Sequence, residues 1–432
     1  MKERPPLPDG PYLVVGLARS GRAAAVALAA HGEVIACDTG HPEAPFGVEA
    51  HLGTDGVALL DRAGVVVKSP GVPAEAPVIA AARERGTPVL GELELGWRLV
   101  PGEFVAVTGT NGKTTTTELL GAIHRAAGVP VEVAGNVGKP LSALAGETGP
   151  DTVVVCECSS FQLEDAVEFA PECAVLLNLE EDHLDRHGSF EAYRDAKLRI
   201  FARQAEGDVA VAPVGLEPAG GRADVVVFGG DCGELAHRDA ELVWRGEPFM
   251  GAGEVRLRGA HNLENAMAAA AAALARGIPP EAVREALASF AGVPHRLEEV
   301  AETGGVLWVN DSKATNVASA AVGIAAFEGG VHAILGGSLK GGGFGALRDP
   351  VASRCRAVYL IGEAAARIES DLAGSGVAVE RCGDLETAVE RAGAAARPGE
   401  VVLLSPACAS FDQFDDYEHR GEVFRALVRA RE

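Results

Sequence analysis

The hexapeptide Gly109-Thr110-Asn111-Gly112-Lys113-Thr114 comes shortly after an apolar run at residues 104–107. An apolar strand, a glycine-rich turn and a Lys-Thr pair that opens a helix form a phosphate cradle, because backbone N–H groups and the helix N-terminus attract anions. Lys113 would reach the outer phosphates of a nucleoside triphosphate, and the Thr114 hydroxyl would face a magnesium ion. The sequence therefore predicts a nucleotide-binding loop here.

The match to the general phosphate-loop pattern is incomplete, since Val107 stands where that pattern has its first glycine. A tight turn that holds no ligand therefore stays open as an alternative. The threonine run at residues 114–117 argues against it. β-Branched residues are poor helix formers, so four of them at a predicted helix start need another reason to be there.

Composition limits the class of protein. The chain has 432 residues, of which 47% are hydrophobic, and a net charge of −23. Its length predicts several domains, and its charge disfavours binding to nucleic acid or to an anionic membrane. Eight scattered cysteines without a CxxC pair are typical of reduced thiols in the cytoplasm. We expect no signal peptide in the polar first ten residues, and the apolar run at residues 266–275 is too short to span a bilayer.

The first segment has a strand–helix–strand pattern, with strands at residues 12–17 and 34–37 and a helix that Ser20 would cap. The turn at residues 16–21 resembles a dinucleotide fingerprint with Ala18 in place of the second glycine, which weakens a nicotinamide interpretation. The turn could hold a diphosphate, with Asp38 or Thr39 on a ribose or base, or it could be a generic turn. A third strand, at residues 65–68, ends in Ser69-Pro70-Gly71, where ligands bind in open sheets.

Strands and helices alternate through the rest of the chain, which predicts mostly parallel sheets covered on both faces. The fold class is α/β, with three domains in series: a Rossmann-like domain at residues 1–91, a central P-loop-type domain at 92–292 and a Rossmann-like domain at 293–432. Hairpins are expected within residues 229–253. Strands are predicted at residues 153–156, 174–177, 209–212, 306–309, 331–335, 357–361 and 401–404, and helices at 190–204 and 261–276.

Polar groups at predicted strand ends are the candidates for chemistry in the middle segment. Glu157 ends a buried strand, where nucleotide enzymes place a magnesium ligand, although it could instead cap the next helix. Acids and imidazoles crowd residues 180–187, and we favour Asp182 and His183 over a merely solvated loop. Lys197, taken alone, has the pattern of a surface lysine.

Further candidates lie near the end of the middle segment and in the last one. Asn262 and Asn265 are three residues apart and share a helix face, where they could read an adenine edge or a phosphate, or simply cap the helix. The polar stretches at residues 310–316, 336–340 and 405–410 follow predicted strands, so we expect them to meet at one edge of the third sheet.

Together these motifs resemble the Mur ligase family, and the resemblance runs almost from end to end. The early motifs are shared by Mur ligases and folylpolyglutamate synthases, whereas Asn310-Asp-Ser-Lys-Ala-Thr-Asn316 and Ser405-Pro-Ala-Cys-Ala-Ser410 resemble the glutamate-adding members. The remaining family motifs are residues 109–114, Glu157 with 159–163, 181–185, Lys197, His261-Asn262 with Asn265, and Pro294-His295-Arg296.

The resemblance implies an ADP-forming amide ligase of cytoplasmic peptidoglycan synthesis. ATP would phosphorylate the alanyl carboxylate of UDP-N-acetylmuramoyl-L-alanine, and the amine of D-glutamate would attack the acyl phosphate. Two magnesium ions are implied as cofactors, with a carbamylated Lys197. The resemblance further implies a monomer without a nucleic-acid partner or membrane insertion.

The family's residue roles carry over to matching positions in this chain. Lys113, His183 and Lys197 would be catalytic, and Thr114, Glu157, His183 and Lys197, the last as a carbamate, would hold the metal ions. Predicted ATP contacts are Gly109, Thr110, Asn111, Gly112, Lys113, Thr114, Thr115, Asn262, Asn265, Arg296 and Asp311. Predicted contacts to the nucleotide-sugar are Arg19, Ser20, Asp38, Thr39, Ser69, Gly71 and Asn136, and those to glutamate are Lys313, Thr315, Lys340, Ser410 and Tyr417.

Two positions depart from the family pattern. Gly343 stands before Phe344, where an Asp is expected, and Asp415-Asp416 precede Tyr417, where a basic residue is common. Both lie near the predicted glutamate pocket. Alternative functions at this point are a ligase for another amino acid, a folylpolyglutamate synthase, and a nucleotide-regulated binding protein without ligase activity.

Overall fold

The computed structural model describes residue 2 and residues 4–257, 259–339 and 342–431. Its three sheets fall into two compact units, Met1–Phe290 and Ala291–Glu432. The first unit contains two of the sheets and the second unit contains one. An α/β fold with three sheets is thus confirmed, while the predicted domain boundaries at residues 91 and 292 stay predictions.

The first sheet is parallel throughout, in the order β3-β2-β1-β4-β5. Its helix α1 begins at Arg19 with Ala18 at the N-cap, so the prediction that Ser20 caps it is wrong. The extended backbone of Ala18 starts the helix before Ser20, which therefore lies within the first turn. The turn is also closely packed, since a Cβ on Gly21 would lie 1.7 Å from the Gly16 carbonyl oxygen. The elements are β1 Tyr12–Val15, α1 Arg19–Leu28, β2 Val34–Asp38, β3 Glu49–Leu52, a 3₁₀ helix Val57–Arg62, β4 Val65–Lys68, α2 Pro77–Glu84, β5 Val89–Gly91 and α3 Glu92–Leu99.

The second sheet has nine strands in the order β14-β13-β12-β11-β10-β9-β6-β8-β7. The pairs β12–β13 and β13–β14 are antiparallel, which confirms the hairpins predicted within residues 229–253. Its strands are β6 Glu103–Thr108, β7 Val131–Gly135, β8 Val153–Glu157, β9 Cys173–Leu176, β10 Val209–Pro213, β11 Asp224–Phe228, β12 Leu235–Arg238, β13 Glu241–Trp244 and β14 Glu247–Gly251. Its helices are α4 Lys113–Ala126, α5 Ser160–Leu163, α6 Leu184–His187, α7 Phe190–Leu198, α8 Ala260–Ala275 and α9 Pro280–Ser289, with 3₁₀ turns at Leu141–Leu144 and Ala252–Glu254.

The helix predicted over residues 190–204 is wrong in length, because α7 ends at Leu198. Successive tight turns follow, in which Ile200 and Phe201 donate to the carbonyls three residues earlier. Both side chains are fully buried against the sheet. Apolar burial at these two positions therefore takes precedence over continuation of the helix.

The core of the second sheet has one apolar layer on each face. Phe104 and Ala106 of β6 face one layer, and Val105 and Val107 face the other, as the alternation of a strand requires. Residues 266–273 of α8 are all buried in the layer that contains Val105 and Val107. The small alanine side chains let this helix approach the sheet closely beside the phosphate loop.

The third sheet has the order β15-β16-β20-β17-β18-β19 and is parallel except for the β15–β16 pair. Strand β15 was not expected, since its sequence Glu-Glu-Val-Ala-Glu-Thr is too acidic to suggest a strand. The elements are β15 Glu298–Thr303, β16 Val306–Asn310, α10 Val317–Ala325, β17 Val331–Gly336, a 3₁₀ turn Gly345–Leu347, α11 Arg348–Arg354, β18 Cys355–Ile361, α12 Ala365–Asp371, β19 Ala378–Gly383, α13 Leu385–Ala395, β20 Val401–Leu404 and α14 Tyr417–Arg429.

The cysteines and the apolar helices were both considered from composition. All eight cysteines lie within the described residues and are free thiols, with Cys156 and Cys158 buried on β8 and after it. Among the described helices, none has both the length and the apolar character that crossing a bilayer demands.

Candidate active site

The phosphate loop connects the end of β6 to the start of α4. Gly112 is the N-cap of α4 with φ of 83°, a left-handed conformation that favours glycine. A Cβ at this position would also lie 2.0 Å from the Asn265 side-chain oxygen. Glycine is thus favoured at position 112 both by the left-handed backbone and by the close approach of α8. Without a side chain here, the backbone N–H groups of the loop stay accessible to an anion.

The loop is fastened to the segment that follows β9. The Asn111 N–H donates to Asn178 Oδ1 at 2.8 Å, and the Asn178 amide donates back to the Asn111 carbonyl at 3.2 Å. The Asn111 side chain donates to Glu180 Oε2 at 3.0 Å, and Thr110 bonds the Tyr193 hydroxyl at 2.9 Å. Sequence reasoning did not select Asn178 or Tyr193, although the position of Asn178 beyond a strand end was a usable signal.

Two lysine ammonium groups meet at the Gly109 carbonyl oxygen. Lys113 Nζ donates to it at 2.9 Å, and Lys197 Nζ donates to it at 2.7 Å. Burial, followed by the neighbouring Lys113, lowers the pKa of Lys197 to about 7. Lys197 also lies over the Tyr193 ring, 4.6 Å from its centroid. It is therefore a buried member of the site, and not the surface lysine that its local sequence suggested.

Glu157 ends β8 beside the loop and is 3% exposed. Asn136, which follows the neighbouring strand β7, donates its backbone N–H to the Glu157 carbonyl at 2.9 Å and its amide to Glu157 Oε1 at 3.0 Å. Helix α5 is capped by Ser159 in a reciprocal pair with Gln162, so Glu157 does not serve as the cap. The structure thus places Asn136 and Glu157, both predicted site residues, in direct contact.

His183 has a left-handed backbone with φ of 50°, and its side chain is about half exposed. Its Nε2 lies 3.4 Å from Asp182 Oδ2, and its ring centroid lies 4.8 Å from that of Phe161. Within the residues that the structure describes, no three His, Cys, Asp or Glu side chains form a cluster able to hold a metal ion. The predicted ligand set also uses a hydroxyl and a lysine, so it stays a prediction.

The donors present suit magnesium, which prefers oxygen ligands. The Thr114 hydroxyl lies in the first turn of α4, and the Glu157 carboxylate lies at the end of a strand paired with β6. An ammonium at Lys197 could not ligate a metal ion. Its lowered pKa, however, leaves a large neutral fraction near pH 7, and a neutral amine is the form that takes up carbon dioxide.

The first sheet has its own candidate site at the β1–α1 turn. Asp38 Oδ2 accepts the Leu17 N–H and its Oδ1 accepts the Gly40 N–H, both at 2.7 Å. The Ser69 hydroxyl donates to the Gly16 carbonyl at 2.7 Å. These two predicted binding residues therefore shape the turn itself. Beside it is a cavity of about 450 Å³ lined by Leu17, Ala18, Arg19, Arg22, Ala23, Pro42 and Pro140.

The other predicted residues of this first site are more peripheral. Ser20 lies in the first turn of α1, Thr39 follows β2, and Gly71 is exposed in the turn after β4. Arg19 lines the cavity and donates to the Gly138 carbonyl of the second sheet's loop.

The predicted asparagine pair lies at the start of α8. The Asn265 amide donates to Asn262 Oδ1 at 3.3 Å, and Asn265 packs on Gly112 of the phosphate loop. Helix α8 has Gly259 at its N-cap and no side-chain hydrogen bond there. The N-cap residue is thus Gly259 and not one of the asparagines, and Asn265 faces the loop.

In the second unit, three polar segments follow the neighbouring parallel strands β16, β20 and β17, so they share one sheet edge as expected. Asp311 is 5% exposed and accepts from the Ser405 hydroxyl at 2.7 Å and from the Leu297 N–H at 3.2 Å. Burial raises the pKa of Asp311 to about 7, and the nearby Arg296 opposes the shift.

Arg420 of α14 organises the predicted glutamate side of this edge and was missed from the sequence. It is fully buried and donates to the carbonyls of Ser312 and Cys408, at 2.8 and 3.1 Å. Burial lowers its pKa to about 10. An arginine on an amphipathic helix normally suggests a surface position, which explains the omission.

The predicted glutamate contacts lie around this arginine. Lys313 Nζ is 5.9 Å from the Tyr417 ring centroid, and the Ser312 hydroxyl donates to the Tyr417 carbonyl at 2.8 Å. The Thr315 N–H donates to the Lys313 carbonyl, and the buried Ser410 accepts the Phe414 N–H. Lys340 lies outside the described residues.

The two departures from the family pattern have structural counterparts. The Phe344 N–H donates to Asp371 Oδ2 at 2.8 Å. A carboxylate from α12 therefore lies next to Gly343, the position at which the family pattern has an Asp. Asp416 is the N-cap of α14 and accepts the His419 N–H at 2.7 Å. Its acidic side chain therefore has a capping role.

The second sheet is mostly parallel and carries a phosphate loop, a buried acid on the adjacent strand and two lysines at the loop. These features are typical of a nucleotide-dependent enzyme of the α/β class. Sequence comparison gives the family: the Mur ligase middle domain matches residues 107–273, and the Mur ligase glutamate ligase domain matches residues 295–408. The chain belongs to the Mur ligase family.

Three relatives that match this chain over almost their whole length share one name. The UDP-N-acetylmuramoylalanine--D-glutamate ligase of Acidobacterium capsulatum is 44% identical, with 97% of this chain and 96% of the relative covered. The proteins of the same name from Anaeromyxobacter dehalogenans and Rubrobacter xylanophilus are 45% and 46% identical, covering 96% and 97% of this chain and 96% and 98% of the relatives.

Solved structures support the fold. The UDP-N-acetylmuramate-alanine ligase of Thermotoga maritima gives a TM-score of 0.61 at 20% identity, covering 98% of this chain and all of the other. The MurF ligase of the same organism, solved with ADP, gives 0.58 at 19% identity, with 93% and 96% covered. At these identities the likeness concerns the fold alone.

Proposed function

We propose that this chain is an ATP-dependent ligase that joins D-glutamate to UDP-N-acetylmuramoyl-L-alanine in cytoplasmic peptidoglycan precursor synthesis. The observation that carries the proposal is the 44% identity, over 97% of the chain, to a relative named for this reaction. We further propose that it acts as a monomer, with both substrates and ATP as its small-molecule partners.

The reaction consists of two transfers. A carboxylate oxygen of the alanyl group attacks the γ-phosphorus of ATP, and ADP leaves, so that an acyl phosphate forms. The glutamate amine then attacks the acyl carbon, the C–O bond to phosphate breaks, and the amine loses a proton. Lys113 would neutralise the phosphoryl oxygens during the first transfer, since it opens the helix at the loop.

Magnesium, when bound, would withdraw charge from the phosphate oxygens. Thr114 and Glu157 would hold one ion, because both present oxygen donors beside the loop. His183 and a carbamate on Lys197 would hold the second. Asn136 fixes the Glu157 carboxylate by its hydrogen bond of 3.0 Å, which orients that ligand.

The chemistry of Lys197 supports the carbamate. A neutral amine nitrogen attacks carbon dioxide, a C–N bond forms, and one proton is released to solvent. The product carries two oxygens and a negative charge. A buried amine with a pKa near 7 is suited to this reaction, because an ordinary lysine is almost fully protonated at neutral pH.

The remaining predicted roles divide between the two units. In the first unit, Arg19 and the β1–α1 turn would hold the UDP group beside the cavity of about 450 Å³. Asn265 packs on the phosphate loop and would contact ATP. In the second unit, Arg296 and Asp311 would contact ATP, and Lys313, Thr315, Ser410 and Tyr417 would hold glutamate, with Lys340 as a further predicted contact.

The direct test is steady-state phosphate release from ATP. We expect release only when UDP-N-acetylmuramoyl-L-alanine and D-glutamate are both present, with the amide product seen by mass spectrometry. Dependence on a different amino acid would assign another ligase of the family. Phosphate release that needs neither co-substrate would contradict a ligase and indicate a nucleotide-regulated protein.

A further inference from the structure

Arg186, on the short helix α6, contacts the turn that follows β4 of the first sheet and the α5 segment that follows β8 of the second sheet. Its guanidinium donates to the Val72 carbonyl of the first sheet's turn at 3.4 Å and to Glu164 Oε2 beyond α5 at 3.1 Å. It also lies over the Phe161 ring, 5.0 Å from the centroid. Its Nη2 group donates both hydrogen bonds while the flat guanidinium lies over the ring, and the rigid plane of arginine fixes these contacts relative to one another more firmly than a flexible lysine would.

On the first-sheet side, Arg186 contacts the turn that supports the candidate nucleotide site. Val72 donates its N–H to the Ser69 carbonyl, and Ser69 bonds both Val15 and Gly16 through its backbone and hydroxyl. A Cβ on Gly16 would lie 2.7 Å from the Val72 side chain, so the two turns are in close contact. The hydrogen bonds of Ser69 thus link the β1–α1 turn to Val72, so a ligand that moves this turn would also act on Val72.

On the second-sheet side, Arg186 reaches His183 by two routes. The Arg186 N–H donates to the His183 carbonyl at 3.0 Å, within the turn of α6. The Phe161 ring beneath Arg186 lies 4.8 Å, centroid to centroid, from the His183 ring. His183 holds a left-handed backbone, a conformation that persists only where the surroundings hold it.

We propose that Arg186 is a positioning residue that couples nucleotide binding at the first sheet to the orientation of the His183 side chain. This inference rests on the proposed function, and it names the regulation of that same site. Occupancy of the β1–α1 turn would set the Val72 carbonyl, Arg186 would follow it, and Phe161 and α6 would carry the change to His183. Phosphoryl transfer would then be favoured only with the nucleotide-sugar in place.

A second contact between the two sheets of the first unit is an ion pair between buried side chains. Lys68 and Asp165 form a fully buried ion pair at 2.5 Å between β4 and the segment after α5. Arg186 and Glu164 are partly exposed, at 15% and 25% of their side chains. We therefore expect the buried Lys68–Asp165 pair to hold the two sheets together. The partly exposed Arg186 contacts are the ones that a small rotation of one sheet relative to the other would alter.

The test follows His183 directly, without metal, ATP or turnover. Full-length protein labelled with ¹³C at histidine Cε1 would be titrated with UDP, and the His183 signal assigned by its loss in His183→Gln. In the unsubstituted protein, UDP is expected to shift that signal. In Arg186→Lys, UDP should still bind, with its dissociation constant changed less than about threefold, but the His183 signal should stay in place.

Two further variants make the result specific. Arg199→Lys is the matched control, because Arg199 donates to the carbonyl of the same Glu164, and in the described part of the chain no hydrogen bond or cation–π contact joins it to Val72 or Phe161. Its His183 signal should shift as in the unsubstituted protein. Phe161→Leu keeps an apolar side chain, removes the ring between Arg186 and His183, and should lose the shift. It also preserves the test if Arg186→Lys folds poorly.

The ligase assay provides an independent readout. Arg186→Lys is expected to lower kcat about tenfold or more and to leave KM for ATP within about twofold, because misorientation affects the transfer step more than ATP binding. An unchanged UDP-induced shift in both Arg186→Lys and Phe161→Leu, or its absence in the unsubstituted protein, would overturn the coupling. If UDP itself did not bind, the nucleotide site would be overturned and the coupling with it, whereas amide formation would still report on the proposed reaction.

Discussion

Lys113 and Lys197 concentrate positive charge at a single carbonyl oxygen, that of Gly109. Two cations so close together repel each other, and the neighbouring Lys113 contributes to the lowered pKa of Lys197. Conversion of Lys197 to a carbamate would replace that repulsion by attraction. The pair therefore suggests that the two lysines have different tasks, one as a cation and one as an oxygen ligand.

For Lys113, we expect Lys113→Ala to lose turnover by a factor of about 10²–10³ while the fold stays intact. Its charge is needed most as the phosphoryl group transfers, so the loss should fall mainly on kcat. Phosphate release and circular dichroism would be measured on the same sample. A folded variant with near-normal activity would contradict the phosphate-loop assignment.

For Lys197, Lys197→Ala should be nearly inactive and should regain part of its activity in formate or acetate. A small carboxylate would supply the oxygens that the carbamate provides. Lys197→Arg should stay inactive with or without formate, because it keeps a positive charge and offers no oxygen. Phosphate release across a formate titration, with chloride as the ionic control, decides the matter; full activity of either variant without added acid would reject the carbamate.

The lowered pKa of Lys197 also predicts how carbamate formation depends on pH. Below pH 7 the amine is mostly protonated and cannot attack carbon dioxide, whereas above pH 7 it is mostly neutral. At a fixed pressure of ¹³C-labelled carbon dioxide, a protein carbamate signal should grow from pH 6 to pH 8 and be absent in Lys197→Met. A signal that appears only near pH 10 would indicate an ordinary exposed lysine.

At the scale of elements, the buried contact between β4 and the segment after α5 joins two sheets in one unit. Lys68 and Asp165 are 0% and 3% exposed, and Arg83 lies 3.6 Å from the second Asp165 oxygen. A buried pair contributes little net free energy, but removing one partner leaves an uncompensated charge. Substitution of this pair therefore shows how much the stability of the first sheet depends on its contact with the second.

Lys68→Met is expected to lower the free energy of unfolding of the first unit by about 3–5 kcal/mol, and Lys68→Met with Asp165→Leu by clearly less. Hydrogen exchange of peptides from both sheets in urea would measure this. The exposed pair Arg85–Asp61 supplies the control, since Arg85→Met should change stability by less than about 0.5 kcal/mol. Equal effects of the buried and exposed changes would contradict the argument.

Much of the element pattern could be predicted, because apolar runs between turn signals are local features. The strands β4 and β20 have the predicted bounds, and the hairpins after β11 were expected from their glycines. The end of α7 and strand β15 could not be predicted, since tertiary burial and pairing with β16 decide them. Likewise the burial of Arg420 and the contacts of Arg186 depend on packing between distant segments.

At the scale of the molecule, the candidate groups divide between two compact units, Met1–Phe290 and Ala291–Glu432. The first contains the phosphate loop and the cavity beside α1, and the second contains the edge of the third sheet. The sequence could indicate which residues belong to each set, because family motifs are local. It could not give their side-chain contacts, such as the Asn136–Glu157 pair or the approach of Asn265 to Gly112.

In the proposed reaction, ATP activates the substrate carboxylate as an acyl phosphate. The most direct measurement uses UDP-N-acetylmuramoyl-L-alanine labelled with ¹⁸O in the alanyl carboxylate, together with ATP, magnesium and D-glutamate. Because the attacking oxygen stays with phosphorus when the amide forms, we expect one ¹⁸O in each phosphate released, detected by mass spectrometry or ³¹P NMR. Released phosphate without ¹⁸O, alongside labelled amide product, would contradict it.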